Sequence, residues 1–367
     1  METKKREQIQ NEAVESLSAF KRAGVAISMG VGKTLIGLKH MEEHHKTLGT
    51  NLKVLVVAPK KSIFKSWEDE MVKHGMSHLS SFITYSTYIS LSKQDLNYSI
   101  VYLDECHNLL PSHEPWLDRY TGYVMGFTGT PPKFERSIKG KLVSKFCPIK
   151  YSYFVDDAVS DGILNDYKII VHMLQLGKIK NVTAGSAKRK WTTSEMESYT
   201  YWSDRIDRSL VSHDTMMFRI QRMKAMMTYP SKELYAKRLF TSITDKCILF
   251  ANTQDQADRL CMHSYHSDNQ DSEENLLKFK VGVISKLSAV LQLNEGVNIP
   301  DLKQGIIIHA YGNERKSSQR IGRLLRLNPD DVATVHILCY EGTIDEVWTK
   351  SALSVFDKNK IIYKQTS

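Results

Sequence analysis

No apolar run in the sequence approaches the roughly 20 residues that a membrane-crossing helix needs. The opening residues, Met1-Glu2-Thr3-Lys4-Lys5-Arg6-Glu7, are charged and lack the apolar centre of a secretory signal. Cysteine is sparse and scattered. Cys106, Cys147, Cys247, Cys261 and Cys339 form no Cys-x-x-Cys pair, which argues against a disulfide framework and against a zinc ribbon. Cys261-Met262-His263-Ser264-Tyr265-His266 has a trace of metal-ligand spacing, but no second pair lies near it and its alternation reads as a strand. A nuclease constellation is also lacking. These absences point to a cytoplasmic protein without a membrane partner.

What is present is an ordinary globular composition. The 367 residues are 41% hydrophobic and 25% charged, enough for two or three domains with real cores. The net charge of +9 suits a polyanionic partner, as it does many soluble proteins.

The chain is organised around Ser28-Met29-Gly30-Val31-Gly32-Lys33-Thr34. The apolar run Gly24-Val25-Ala26-Ile27 precedes it and an amphipathic stretch beginning Leu35-Ile36 follows, so the order is strand, loop, helix. Gly30 and Gly32 let the backbone turn its N–H groups toward an anion, and the helix start adds its positive dipole end. Lys33 would reach the β- and γ-phosphates of a nucleotide, and the Thr34 hydroxyl would bind Mg2+. Ile27 stands where this pattern has glycine.

Ahead of the loop, residues 7–20 read as a helix with Ile9, Ala13, Leu17 and Phe20 on one face. Gln10 either pairs with an adenine edge through its amide or is a solvated helix residue. After the loop, residues 52–58 form a buried parallel strand that stops at Pro59-Lys60-Lys61-Ser62, where strand-tip lysines and a serine could hold a phosphate backbone. Trp67 reads as core. Thr84 and Ser86 lie on a further short strand. At residues 100–107 an apolar strand runs into Asp104-Glu105-Cys106-His107. Strand alternation would aim Asp104 at the metal and Glu105 at an attacking water; the bland reading is a solvated strand-end pair. Residues 123–127 form a fourth strand capped by Thr128-Gly129-Thr130-Pro131-Pro132, whose hydroxyls could sense the acid pair.

The rhythm breaks at residues 155–241. A strand at 167–176 precedes a basic, turn-rich stretch containing Lys188, Arg189, Lys190 and Trp191, with Tyr201, Trp202, Arg205 and Arg208 beyond. Basic and aromatic side chains together either grip a nucleic-acid strand or form an exposed linker. A second α/β unit opens at residues 247–253, ending in Asn252 and Thr253, and continues with strands at 287–291, 305–310 and 334–340 and a closing helix at 344–356. Within it, helical spacing puts Gln319, Arg323 and Arg326 on one stripe, either facing a triphosphate or salt-bridged on the surface.

These pieces, in this order, resemble superfamily 2 helicases and translocases, and the likeness covers nearly the whole chain. Thr128-Gly129-Thr130-Pro131, Glu295-Gly296-Val297-Asn298-Ile299-Pro300 and Gln319-Arg320-Ile321-Gly322-Arg323 look closest to phage UvsW-type helicases. The resemblance implies two tandem RecA-like α/β domains, parallel sheets flanked by helices, with an ATP cleft between them. It implies ATP and Mg2+, with Gln10, residues 28–34, Gly296 and Asn298 around the nucleotide. Lys33, Asp104, Glu105, Gln319, Arg323 and Arg326 would carry the chemistry, and Thr34 and Asp104 the metal. Contact with nucleic acid, DNA rather than RNA, or coupling to it would fall to Pro59, Lys60, Ser62, Thr84, Ser86, Thr128, Thr130, Asn252, Thr253, Lys188, Arg189 and Lys190.

The expected divisions are 1–154 for the first domain, 155–241 for an insertion partly joining the second, and 242–367 for the second. The resemblance further implies a monomer, or a motor working with replication and repair proteins, in the host cytoplasm if the chain is phage-encoded. Three departures stand out: Ile27, Asn298 in place of a frequent Asp, and little chain outside the two cores for accessory DNA-binding domains. A restriction-system motor, a duplex or annealing translocase that separates no strands, a small-molecule kinase and a nucleic-acid clamp with a silent ATPase are the alternatives.

Overall fold

The structure, a computed structural model, describes residues 2–28, 30–132, 134–164, 166–186, 189–290, 299–309, 332–354 and 356–366. They form two compact units that divide between Asp166 and Tyr167.

The first unit runs α1 (Glu2–Ser18), β1 (Arg22–Ile27), α2 (Lys33–Leu48), β2 (Val54–Ala58), α3 (Ser62–Lys73), β3 (Ile83–Thr87), β4 (Ile100–Asp104), α4 (Glu114–Arg119), β5 (Tyr123–Thr128), α5 (Ile138–Phe146), β6 (Ile149–Tyr153) and α6 (Val155–Ser160). Its six strands are all parallel, in the order β3-β2-β4-β5-β1-β6. Every residue of β2 and β4 is buried, as apolar runs covered by helices on both faces require. Ala13, Val14 and Leu17 seat α1 on one face of the sheet. Ile27, the unusual residue before the loop, has a fully buried side chain in this core. Its bulk is therefore absorbed by packing on the sheet. Residues 155–164 belong to this unit, since Ala158, Ile163 and Leu164 join its core and Lys5 pairs with Asp161 at 3.0 Å.

The second unit runs β7 (Tyr167–Leu174), β8 (Val182–Ser186), β9 (Arg189–Thr193), α7 (Glu195–Asp207), α8 (Ser212–Met227), α9 (Pro230–Ser242), β10 (Cys247–Ala251), α10 (Gln254–Leu260), β11 (Ser264–Tyr265), α11 (Ser272–Lys280), β12 (Lys286–Val290), β13 (Gln304–Ile307), β14 (Ala333–Tyr340), α12 (Ile344–Ala352) and β15 (Ile361–Gln365). Seven of these strands make a parallel sheet in the order β11-β12-β10-β13-β14-β7-β15.

Three expectations are corrected here. The basic stretch around residue 190 is not a turn-rich linker: β8 and β9 pair as an antiparallel hairpin. The segment 261–266 is a strand only at Ser264–Tyr265, and its imidazoles hold the fold, His263 against Asn275 and His266 against Asp258. The closing helix ends at Ala352, and the chain returns as edge strand β15 on β7.

The second unit buries an ionic cluster. Lys232 of α9 is paired with Asp345 of α12, and its Nζ also meets His309 Nδ1 at 3.0 Å and the Leu338 carbonyl at 3.1 Å. Burial would raise the Asp345 carboxyl, but the Lys232 ammonium and His309 beside it hold it below the usual range. Burial pushes His309 down to about 4, and likewise His172 and His336, which share a 2.9 Å hydrogen bond. A depressed folded-state value means that the stability these neutral imidazoles contribute is complete above the unfolded value near 6.5 and is lost as pH falls toward 4. Urea unfolding should therefore show stability declining from pH 6.5 to 4, with a shallower decline in His336→Gln. An identical slope in the variant would contradict the assignment.

Candidate functional site

The site grows from the C-terminal ends of three neighbouring strands. β5 lies between β1 and β4, with Ala26 beside Thr128 and Asp104 beside Phe127 in register. The phosphate loop after β1, the acid pair at the end of β4 and the Thr128–Thr130 tip of β5 are thereby brought to one edge of one sheet. Ligands bind at this edge in open parallel sheets.

Gly30 and Gly32 take φ of 97° and 104°, backbone that disfavours any residue with a Cβ. A Cβ on Gly32 would also lie 2.7 Å from Gln10 Nε2. Gln10 shares the buried face of α1 with Ala13, Val14 and Leu17, and its amide donates to the Val31 carbonyl at 2.8 Å. One N–H of the amide expected to read an adenine edge thus holds the loop. Helix α2 starts directly after Gly32 without a side-chain cap, so its first N–H groups and its dipole serve the loop.

Lys33 Nζ donates to the Ile27 carbonyl at 3.4 Å and lies 3.7 Å from Glu105 Oε1. The two acids part in a way that strand alternation alone does not describe. Asp104 ends the strand; Trp67 Nε1 donates to its Oδ2 at 3.0 Å and the Tyr88 hydroxyl to its backbone carbonyl at 2.9 Å. Burial, foremost, pushes the Tyr88 phenol well above its ordinary value, so it stays a donor. Glu105 leaves the strand at φ 50°, left-handed backbone that costs a non-glycine residue about 1–3 kcal/mol and is held by surrounding bonds. Here the Asn108 backbone N–H and side-chain amide both donate to the Glu105 carbonyl, at 2.9 and 3.0 Å.

A polar chain continues from the acid. Asn108 Nδ2 sits 3.4 Å from His107 Nε2, which leaves Nδ1 as the protonated nitrogen. Nδ1 then donates to Thr128 Oγ1 at 2.9 Å and lies 3.4 Å from Glu105 Oε2. Thr128 Oγ1 also accepts from the Thr130 N–H at 3.1 Å. Thr128 is fully buried, so its hydroxyl joins β5 to the acid pair and does not face a nucleic acid.

Magnesium nucleotide fits this edge. Among the described residues, Ser28 Oγ and Thr130 Oγ1 are buried without a hydrogen-bond partner, and Glu105 Oε2 accepts none. Unsatisfied buried polar groups are costly, and clustered beside a glycine loop they are donors and acceptors suited to phosphate, metal and water. Thr34 on the first turn of α2 and Asp104 are the oxygen ligands the ion would need.

Other expected contacts separate. Lys60 and Ser62 are exposed at the tip of β2, with Pro59 half-buried. Thr84 is exposed, whereas Ser86 is buried and donates to the Thr87 carbonyl, which takes it out of a nucleic acid's reach. Asn252, directly after β10, is buried with neither amide atom paired among the described residues, and Thr253 caps α10. Lys190 is exposed on β9. Met29, Lys188, Gly296, Asn298, Gln319, Arg323 and Arg326 lie outside the described residues, and of Arg189 only the strand position is described.

This edge defines the class as a nucleotide-hydrolysing, parallel-sheet α/β enzyme. Residues 3–133 match the family described as type III restriction enzyme, res subunit, and residues 231–328 the helicase conserved C-terminal domain. The DNA 3'-5' translocase XPB2 of Sulfurisphaera tokodaii is 22% identical over 383 residues, covering 92% of this chain and 82% of its own. In fold, the type ISP restriction-modification enzyme LlaBIII bound to DNA gives a TM-score of 0.62 at 15% identity over 99% of this chain, which spans 31% of that enzyme. The helicase domain of Pyrococcus furiosus Hef gives 0.52 at 15% identity over 95% of this chain and 97% of that one. Dbp5 of S. cerevisiae bound to RNA gives 0.58 at 13% identity, over 98% and 89%. The two family matches and the translocase relative support an ATP-hydrolysing superfamily 2 helicase or translocase, and its two parallel-sheet α/β domains resemble tandem RecA-like helicase folds.

Trp67 was not legible as a site residue in the sequence; its indole N–H holds Asp104. Trp67→Phe keeps the ring but removes that donor. The variant should lose about 1–3 kcal/mol in denaturant unfolding and need more Mg2+ for half-maximal ATP hydrolysis. An unchanged Mg2+ dependence would reduce Trp67 to core packing.

Proposed function

We propose that this protein is an ATP-driven DNA motor, coupling hydrolysis to movement along DNA or to separation of its strands. The observation that carries the reading is the continuous polar chain from Lys33 through Glu105 and His107 to Thr128 and Thr130. Such a chain lets the state of the phosphate loop be felt at a neighbouring strand tip.

In this reading the loop N–H groups and Lys33 bind the phosphates. Thr34 and Asp104 would hold Mg2+, which when bound neutralises phosphate charge. Glu105 accepts the proton of the attacking water, a role worth typically 10²- to 10⁴-fold in rate. Gln319, Arg323 and Arg326 would supply the remaining positive charge. DNA is favoured over RNA because XPB2 is named a DNA translocase and LlaBIII is bound to DNA. Exposed Lys60, Ser62, Thr84 and Lys190 are the candidate backbone contacts. Kinship to phage UvsW-type helicases, and work on branched DNA in repair or recombination, rests on the motif residues alone.

A second reading is the motor part of a restriction system, favoured by the res-subunit match over residues 3–133. It requires a nuclease from elsewhere. A silent clamp is the third; the buried side chain of Ile27 removes the main reason for it.

ATP turnover measured alone and with single-stranded, duplex and forked DNA and with RNA separates these readings. DNA should stimulate turnover, and Lys33→Ala should abolish both nucleotide binding and hydrolysis. Stimulation by RNA alone, or nucleotide binding without turnover under every condition, would overturn the motor-on-DNA reading.

A further inference from the structure

Away from the strand tips, α2 carries Glu42 and His45 one helical turn apart, on one face. A short 3-10 turn at Ser77–Phe82 lies against this helix and brings His78 to the same place. One ligand atom from each of Glu42, His45 and His78 lies within 4.8 Å of the other two. His78 Nε2 meets Glu42 Oε2 at 2.8 Å. The His45 ring is 5.4 Å from that of His78 and rests on Phe82, with centroids 4.8 Å apart. Leu79, fully buried in the core of the unit, fixes the turn to the helix.

We propose that Glu42, His45 and His78 form a binding site for a borderline divalent transition ion, Zn2+ above all. Two imidazole nitrogens and one carboxylate oxygen are the donor set that such an ion selects, with water completing a tetrahedron. Bonds of about 2.0–2.1 Å separate neighbouring ligand atoms by roughly 3.3 Å. The 2.8 Å contact between His78 and Glu42 needs a small widening, available to side chains that both reach the surface. Mg2+ and Ca2+, which take mainly oxygen, are poor fits. The ion would clip the turn before β3 onto the helix whose first turn holds Lys33 and Thr34. The site is separate from the nucleotide edge, and its test is independent of ATP hydrolysis.

The probe is ZnCl2 alone, titrated against the full chain in competition with a chromogenic chelator. The unmodified chain should take up one equivalent at this site and melt at a higher temperature when loaded. His45→Gln and His78→Gln should each weaken binding by about tenfold or more, while His263→Gln, at an imidazole in the other unit, should bind as the unmodified chain does. Equal binding by all the variants would overturn the proposal. Electron paramagnetic resonance of the unmodified chain with one equivalent of Cu2+ gives a check that needs no variant. Two equatorial nitrogen donors are expected, and a spectrum without nitrogen coupling would overturn the site.

Discussion

The position of β5 between β1 and β4 is the constraint on which the site depends. Parallel pairing makes all three strands end on the same edge, and register sets Thr128 beside Ala26 and Phe127 beside Asp104. From that alone, a lysine after β1, an acid pair after β4 and a hydroxyl at the end of β5 become neighbours, although the lysine lies about 70 residues from the acid pair and about 95 from the hydroxyl in sequence. The hydrogen bond from His107 to Thr128 turns this adjacency into a connection. It is buried, so the low local dielectric makes both its formation and its loss consequential.

The local devices at this edge each counter a cost. Glycines accept the left-handed backbone of the loop. Glu105 adopts such backbone without being glycine, held by two donors from Asn108. The consequence is that Asp104 keeps the strand direction while Glu105 is directed off it. Asp104 is steadied by Trp67 and Tyr88, one from the helix after β2 and one from the turn after β3. Two segments of the chain therefore hold this residue, Trp67 by its carboxylate and Tyr88 by its backbone carbonyl.

Much of this is legible in the sequence because it is local. The strand–loop–helix at residues 22–48 is written in contiguous apolar, glycine and amphipathic residues, and so is the apolar strand entering Asp104-Glu105. What is not legible depends on strand order or on lone backbone angles. Trp67 reads as core, and it is core; its second task appears only once α3 lies over β4. Gln10 offers an amide, and nothing in its neighbours says that the amide turns inward to Val31. Thr84 and Ser86 share one face of β3 by the strand period, but burial decides that Thr84 alone of the pair reaches the surface. The hairpin of β8 and β9 hides in a stretch whose basic composition reads as turn or linker, and β15 is a short edge strand paired on one side. The buried cluster of Lys232, Asp345 and His309 joins residues from an entire domain's span, which no spacing reveals.

In the proposed motor, Glu105 takes the proton from water while Lys33 and the loop hold the phosphates. The most direct measurement is single-turnover ATP hydrolysis by Glu105→Gln in the presence of DNA, with ATP affinity measured on the same sample. Affinity within a few-fold of the unmodified chain, together with hydrolysis slower by about 10²-fold or more, is the expected result. Hydrolysis at the unmodified rate would contradict it, because the carboxylate would then be a solvated end of a strand and the chemistry would reside elsewhere.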